Sequence, residues 1–248
     1  MSIETTTGLI GFFDILGYQE IIANNAVVQA AEIIKGSLKG MPERAAAEMV
    51  QALKGGDPQR AAAALNQKMK RLIISDTIIL ALPLESKDAI NSFELWHFLS
   101  LSSYMLRRSF DAGLPLRGAI DYGEFYTEDY TFAGKPFVDS FSLARRLELS
   151  GCALTKALRS KIEEPTPSSV LSLVLFPYTL PFNDGTEGDH LVLDWLSPFP
   201  EWGEKPQDLR QYIVSKFFSL NKVVRKNVLP KLENTEIMLR YREASKLP

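Results

Sequence analysis

The apolar run Gly8-Leu9-Ile10-Gly11-Phe12-Phe13 stops at Asp14, and Ile15-Leu16-Gly17-Tyr18 follows at once. A run this short and this apolar suits a buried strand, and a glycine just beyond it lets the chain turn into a helix. A carboxylate at that junction is well placed to hold a metal beside a phosphate. A second apolar stretch, Leu72-Ile73-Ile74-Ser75-Asp76-Thr77-Ile78-Ile79-Leu80, is broken at its centre by two polar residues, as a tight hairpin would be. If the two strands are neighbours, Asp14 and Asp76 meet at one edge of a sheet and can share divalent cations. That is a phosphoryl-transfer site in outline.

Each aspartate also has a local explanation. Asp14 could cap the following helix, and Ser75-Asp76 suits a turn for its own backbone reasons. The pair in matching contexts favours a metal role over two separate accidents.

Along the chain, 8–14 reads as a strand and 17–53 as helix with apolar residues at helical spacing. Lys54-Gly55-Gly56-Asp57-Pro58 stops one helix and starts another, with Asp57 as N-cap and Pro58 at the first helical position. Helix resumes over 60–66, and 69–74 and 77–82 form the hairpin, closed by Pro83. A long helix over 87–112 ends at Gly113, and Pro115 opens a strand over 116–122 that Gly123 turns into an antiparallel partner over 124–132. A helix over 138–149 points Phe141, Ala144 and Leu147 inward. This order predicts an α+β fold, with helices on one face of a mostly antiparallel sheet.

Beyond Gly151 the pattern gives strands at 170–176 and 189–195, a loop at 177–188 and an amphipathic helix over 206–228. Lys222, Arg225, Lys226, Lys231, Arg240 and Arg242 read as a solvated helical face. No linker interrupts the chain, so 1–248 is read as a single domain with a motif-bearing core at 8–150 and an extension at 151–248.

Several function classes are excluded. With 28 Lys and Arg against 30 Asp and Glu, the net charge of −2 provides no basic field for nucleic acid. Cys152 is the only cysteine, so neither an intrachain disulfide nor a cysteine zinc site can form. His97 and His190 stand far apart, outside any ligand pattern. Met1-Ser2-Ile3-Glu4 lacks the basic start of a secretory signal, and Pro177 and Pro181 break the apolar run 170–182. The expectation is a cytoplasmic protein with no membrane insertion.

Four ordered motifs, spanning roughly 8–150, together resemble the class III nucleotidyl cyclase catalytic domain. Phe13-Asp14-Ile15-Leu16-Gly17 looks like that family's first metal motif and Ser75-Asp76 like the hairpin carrying its second aspartate. Leu116-Arg117-Gly118-Ala119-Ile120-Asp121-Tyr122-Gly123 resembles its central strand, and Ala144-Arg145-Arg146-Leu147-Glu148 its helix motif. Gly134-Lys135-Pro136-Phe137-Val138-Asp139-Ser140-Phe141 and the long helical stretch look closer to the pyrimidine cyclases of bacterial antiphage systems, commonly called Pycsar.

The resemblance implies a ferredoxin-like catalytic domain and a homodimer with interfacial active sites acting on a nucleoside triphosphate. Asp14, Asp76 and the Ile15 carbonyl would hold two divalent cations, Mn²⁺ or Mg²⁺, and the amides of Leu16, Gly17 and Tyr18 would cradle the triphosphate. Arg146 would steady charge at the α-phosphate. The product, a cyclic nucleotide, would act on a separate effector in antiviral defence. The family's usual asparagine aligns with Ser142, its purine-reading lysine with Leu72 and its purine-reading aspartate with Lys135. A donor replacing an acceptor disfavours purines and points to UTP ahead of CTP. Adenylate or guanylate cyclisation, and a catalytically inactive nucleotide-sensing domain, are the rival implications.

Three further features carry two readings each. Arg117 reaches phosphate or pairs with Asp121 or Glu124. Tyr18, Tyr122 and Phe137 frame a base or pack in the core. Gly55-Gly56-Asp57 is compared with the diguanylate cyclase signature, but the following Pro58 and alanine-rich helix favour a helix connector.

Overall fold

The apolar run before Asp14 forms strand β1 (Thr6–Ile15), buried from Gly8 onward. The computed structural model describes residues 4–37, 40–53, 56–86, 89–129, 131–162, 169–196, 206–223 and 226–245. Four helices follow β1: α1 (Tyr18–Asn24), α2 (Val27–Ser37), α3 (Met41–Ala52) and α4 (Gly56–Lys68). The hairpin β2 (Lys70–Ile74) and β3 (Thr77–Pro83) leads to α5 (Ser92–Asp111) and then β4 (Leu116–Glu128). These strands lie in the order β2-β3-β1-β4, every neighbour antiparallel, which is a βαββαβ ferredoxin-like core.

The sheet continues past β4. β5 (Thr131–Ala133) pairs with β4 as a short arm, and α6 (Lys135–Arg146) crosses over to β6 (Gly151–Leu154). Because a helix intervenes, β6 lies parallel to β4, the only parallel pair among the described strands. After α7 (Lys156–Arg159), the hairpin β7 (Leu175–Pro181) and β8 (Glu187–Leu193) adds the last two strands through β8, and α8 (Leu209–Phe217) and α9 (Leu229–Ala244) complete the order. Among the described residues no helix is long and apolar enough to cross a membrane.

Side chains alternate across a strand, so β1 serves two faces. Phe13 joins Phe98 and Leu99 of α5 in the large core. Gly118 makes room for it: a Cβ there would lie 2.4 Å from Phe13 Cδ1 and 2.8 Å from the Phe12 carbonyl oxygen. On the other face, Ile10 packs with Ala81, Phe125, Phe132 and Phe137, and Phe12 meets the Phe141 ring edge-on at 5.1 Å. Helices therefore cover both faces, correcting the one-face expectation. The mostly antiparallel α+β architecture is as expected.

Several boundaries move for identifiable reasons. The stretch 17–53 is three helices, broken at Asn25 and again at Gly40, whose φ of 76° precedes Pro42 in the first turn of α3. β4 runs straight through Gly123, which faces Gly8, and the chain turns at Asp129 with φ 51°. Pairing with β1 over ten positions carries the strand through the glycine, where Pro136 packs close. Helix α6 starts earlier and ends at Arg146, leaving Phe141 43% exposed on Phe12 while Leu143 and Ala144 are buried. The 177–188 loop is mostly strand, its prolines tolerated because β7 is an edge strand. The 206–228 helix stops at Phe217, where Leu220 and Asn221 take φ near 59° and 58°. Helix α4 begins at Gly56, so Asp57 and Pro58 lie within its first turn and not at the N-cap and first position expected of them; Lys54 and Gly55 lie outside the described residues.

Lys222, Lys231 and Arg242 do not lie on a solvated face, whereas Lys226 and Arg240 are exposed as expected. Lys231 pairs with Glu148 at 2.7 Å, Arg240 with Glu236 at 2.9 Å and Arg242 with the buried Asp194 at 2.9 Å, while Lys222 is itself buried. Arg225 lies outside the described residues.

His97 is fully buried, and its Nε2 donates to Asn66 Oδ1 at 2.9 Å. Burial, and secondarily the Arg71 charge, lower its pKa from 6.5 to about 4. The unfolded chain thus takes up a proton at higher pH than the fold does. Stability is full above pH 6.5 and is lost as pH falls through 6.5 towards 4, by roughly 3 kcal/mol at completion. His97→Gln should flatten the dependence of Tm on pH over that window, and an unchanged slope refutes the assignment.

Candidate active site

The alternation that sends Ile10 and Phe12 towards α6 sends Asp14 the same way, to the end of β1. Its cross-strand neighbours are Thr77 of β3 and Arg117 of β4. Arg117 donates from Nε and Nη2 to the same oxygen, Asp14 Oδ2, at 3.0 and 2.8 Å, and from Nη1 to the Arg145 carbonyl at 3.2 Å. Arg117 is therefore paired with Asp14, not with Asp121 or Glu124.

Asp76 sits on the β2–β3 turn, where Ser75 adopts φ 56°. The Ile15 N–H donates to the Asp76 carbonyl at 3.0 Å, fastening the turn to the end of β1. Burial pushes the Asp14 carboxyl above its usual range, Arg117 opposes the shift, and the nearby Asp76 charge adds to it. The two carboxylates and the Ile15 peptide are thus one local group.

The chain then turns at Gly17, whose φ of 80° a side chain rarely adopts, and α1 begins at Tyr18. Of the three amides expected to cradle phosphate, that of Leu16 already donates to the Pro115 carbonyl at 2.8 Å. The Gly17 and Tyr18 amides carry that expectation forward. The stem of Lys222 lies over the turn, 3.1 Å from where a Gly17 Cβ would stand. Its Nζ donates to the carbonyls of Gly113 at 2.6 Å and Lys216 at 3.0 Å, and burial lowers its pKa to about 8.

A second locus lies along α6. Lys135, Asp139, Ser142 and Arg146 recur at helical spacing and line one wall of a cleft of about 740 Å³. Phe182 and His190 also line the cleft. Lys135 pairs with Asp139 one turn on. Arg146 lies over the Phe182 ring at 4.2 Å and donates from Nη2 to Asp184 and to Thr186, each at 3.2 Å. An adjoining cavity of about 570 Å³ shares Lys135 and Asp139 and reaches the buried Asp121, which accepts from Thr155.

The structure thus brings Asp14, Ile15 and Asp76 together, with Leu16, Gly17 and Tyr18 beside them, and brings Lys135, Ser142 and Arg146 together elsewhere. Neither Asp14 nor Asp76 lines the α6 cleft. Leu72 is on the edge strand β2, apart from Lys135. It is Arg145 whose charge is felt at Asp14. The candidate base-framing aromatics are packing residues: Phe137 meets Phe125 and Phe132 edge-on, and Tyr18 and Tyr122 lie against the large core.

The partners of Arg146 escaped sequence reading, although Asn183-Asp184-Gly185 between two apolar runs is a hairpin signal. The Lys222 contact has no sequence signal, since it joins residues far apart along the chain.

No family model and no curated protein matches this sequence. Among solved structures, the catalytic core of a rhodopsin-guanylyl cyclase with converted specificity, in complex with ATPαS, superposes with a TM-score of 0.50 at 9% identity, covering 78% of this chain and 98% of that one. A bacterial light-regulated adenylyl cyclase gives 0.46 at 12% identity, over 89% of this chain and 59% of that one. A class III adenylyl cyclase-like ATP-binding protein from Pseudomonas aeruginosa gives 0.45 at 14%, over 68% and 38%. The first of these likenesses is one of fold: the chain has the α+β fold of a class III cyclase catalytic domain.

Proposed function

We propose that this chain is a metal-dependent pyrimidine nucleotide cyclase, converting UTP, ahead of CTP, to its 3′,5′-cyclic monophosphate and pyrophosphate. The observation that carries the reading is the division of the predicted residues between two loci. Asp14 and Asp76 adjoin at the end of β1, whereas Lys135, Ser142 and Arg146 share the α6 cleft. Each locus is half of a site, and two chains arranged antiparallel would supply both halves twice.

The residues present fit divalent cations. The donor set of Asp14, Asp76 and the Ile15 carbonyl is all oxygen, as hard cations prefer. Arg117 already sets a cation against Asp14, and both its contacts use Oδ2, leaving Oδ1 for another. Bound there, two Mn²⁺ or Mg²⁺ ions would acidify the ribose 3′-hydroxyl and neutralise the departing pyrophosphate.

The chain's own residues do the rest. The Gly17 and Tyr18 amides would take triphosphate oxygens at the start of α1. Arg146, from the partner chain, would stabilise charge growing on the α-phosphate as the 3′-oxygen bonds to phosphorus and the bond to pyrophosphate breaks. Lys135 offers donors and no acceptor, which suits the uracil O4 and disfavours the amino group of cytosine or adenine.

A homodimer is supported by apolar surface on the α6 side of the sheet. Ile74 is 57% exposed and Val138 62%, with Phe141 between α6 and β1. Residues 151–248 are taken as part of the same domain, since β6, β8 and β7 extend one sheet. Following the Pycsar resemblance, the product would be a messenger acting on a separate effector in antiviral defence, in a reducing cytoplasm that suits the buried Cys152.

Incubating the purified protein with each of the four NTPs and Mn²⁺ tests the base assignment. Cyclic UMP is the expected product. Exclusive turnover of ATP or GTP would replace it with a purine assignment. Absence of any turnover would favour a nucleotide-sensing domain, the reading that the hold of Arg117 on Asp14 supports.

A further inference from the structure

We propose that the β7–β8 turn positions Arg146 for the reaction, with Asp184 and Phe182 as positioning residues. This rests on the role given to Arg146 above, and it assigns work to the segment beyond residue 150, where no motif of the resemblance falls.

Arg146 is the last residue of α6, and Leu147 leaves the helix with φ −60° and ψ 127°. A terminal arginine would ordinarily fray. Here the turn takes over the helix end. The Asn183 N–H donates to the Arg146 carbonyl at 2.8 Å, and Asn183 Nδ2 donates to the Arg145 carbonyl at 2.9 Å. The Glu148 N–H donates to the Pro181 carbonyl at 3.1 Å, and Leu147 bridges to Phe182. Last-turn carbonyls that the helix leaves without partners are thus satisfied from the hairpin.

The guanidinium is held on its face and at one nitrogen. Its carbon lies 4.2 Å from the centre of the Phe182 ring, and Phe182 is buried with its ring set edge-on against His190. Both hydrogen bonds, to Asp184 and Thr186, leave from Nη2. The donors on Nε and Nη1 are not used in these contacts and can meet an oxyanion. Asp184 is fixed in turn by the Thr186 N–H at 3.0 Å and its hydroxyl at 2.5 Å. Those bonds, with a smaller contribution from Arg146, keep its carboxyl below the usual range and therefore charged.

Side-chain exposures of 47% and 48% mark the Arg146–Asp184 pair as a surface ion pair. Such pairs add little to folding. Orientation of a cation at the reacting phosphate, by contrast, is felt steeply in rate. Stability and turnover should therefore respond differently to the loss of Asp184.

Asp184→Ala should lower kcat about tenfold, with KM changed less than about twofold and Tm unmoved. Asp184→Asn, which can still accept from Thr186 and Arg146, should recover most of the loss. In an Arg146→Ala background, Asp184→Ala should cost nothing further. An equal loss in both backgrounds, or none in either, overturns the proposal. Nitrogen-15 relaxation of the Arg146 Nε–H supplies a readout independent of turnover: the side chain should be ordered in the wild-type chain and mobile in Asp184→Ala. Equal order in the two would overturn the positioning role. Should the wild-type protein cyclise no nucleotide, the functional reading fails on its own, and the relaxation measurement still decides whether the turn holds Arg146.

Discussion

Asp76→Ala is expected to abolish cyclic-nucleotide formation, lowering kcat by about a thousandfold or more, while the protein keeps its fold. The contact that fastens the β2–β3 turn to β1 uses the Asp76 carbonyl, which accepts from the Ile15 N–H at 3.0 Å, and alanine retains that carbonyl. The left-handed residue of the turn is Ser75, which the substitution leaves alone. What disappears is one of two carboxylates proposed to hold cations. Asp14→Ala is the poorer experiment, because it would strand the Arg117 guanidinium, only 13% exposed, without its counter-ion and so confound activity with stability. The measurement is turnover of UTP across a Mn²⁺ titration, paired with a thermal melt. Unchanged cyclisation by Asp76→Ala would remove the metal assignment.

The parts of this architecture written in short-range pattern were readable from the chain. The run ending at Asp14 and the Ser75-Asp76 interruption specify a strand and a hairpin through local preference, whereas the pairing of β1 with β3, across four intervening helices, entered only as a condition. The four-residue spacing of Ser142 and Arg146 likewise places them on one side of a helix, whereas Lys135 joins them only because α6 begins ahead of the expected 138. Features set by register between distant segments were not readable. Nothing local tells that Arg117 faces Asp14 across β1 and β4, a pairing over 103 positions that changes how the site must be entered. Gly123 shows the opposite failure, where a local turn preference yields to a ladder of pairs with β1. Lys231 and Arg242 were misread for a third reason: a helical stripe of charge looks the same whether it meets water or the carboxylates of Glu148 and Asp194.

Co-expressing Asp76→Ala and Arg146→Ala chains should restore activity far above what either variant shows alone. The separation seen within one chain makes this the sharpest test of how the site is completed, since Asp14 and Asp76 gather at the end of β1 while Arg146 is turned towards Phe182, Asp184 and Thr186. In the proposed two-fold dimer, every site would draw its carboxylates from one chain and its arginine from the other. A heterodimer of the two variants then contains one site carrying both lesions and one carrying neither. Isolated through a different tag on each chain, it should run at about half the wild-type rate per dimer. A heterodimer that is isolated but inactive would mean that carboxylates and arginine must act from the same chain, and the trans assignment would fall. Failure to isolate any mixed dimer, with wild-type protein that is monomeric by light scattering, would remove the dimer itself. Recovery near one half cannot arise from a site complete within a single chain, because each chain in that mixture lacks one of the groups the reaction is proposed to need.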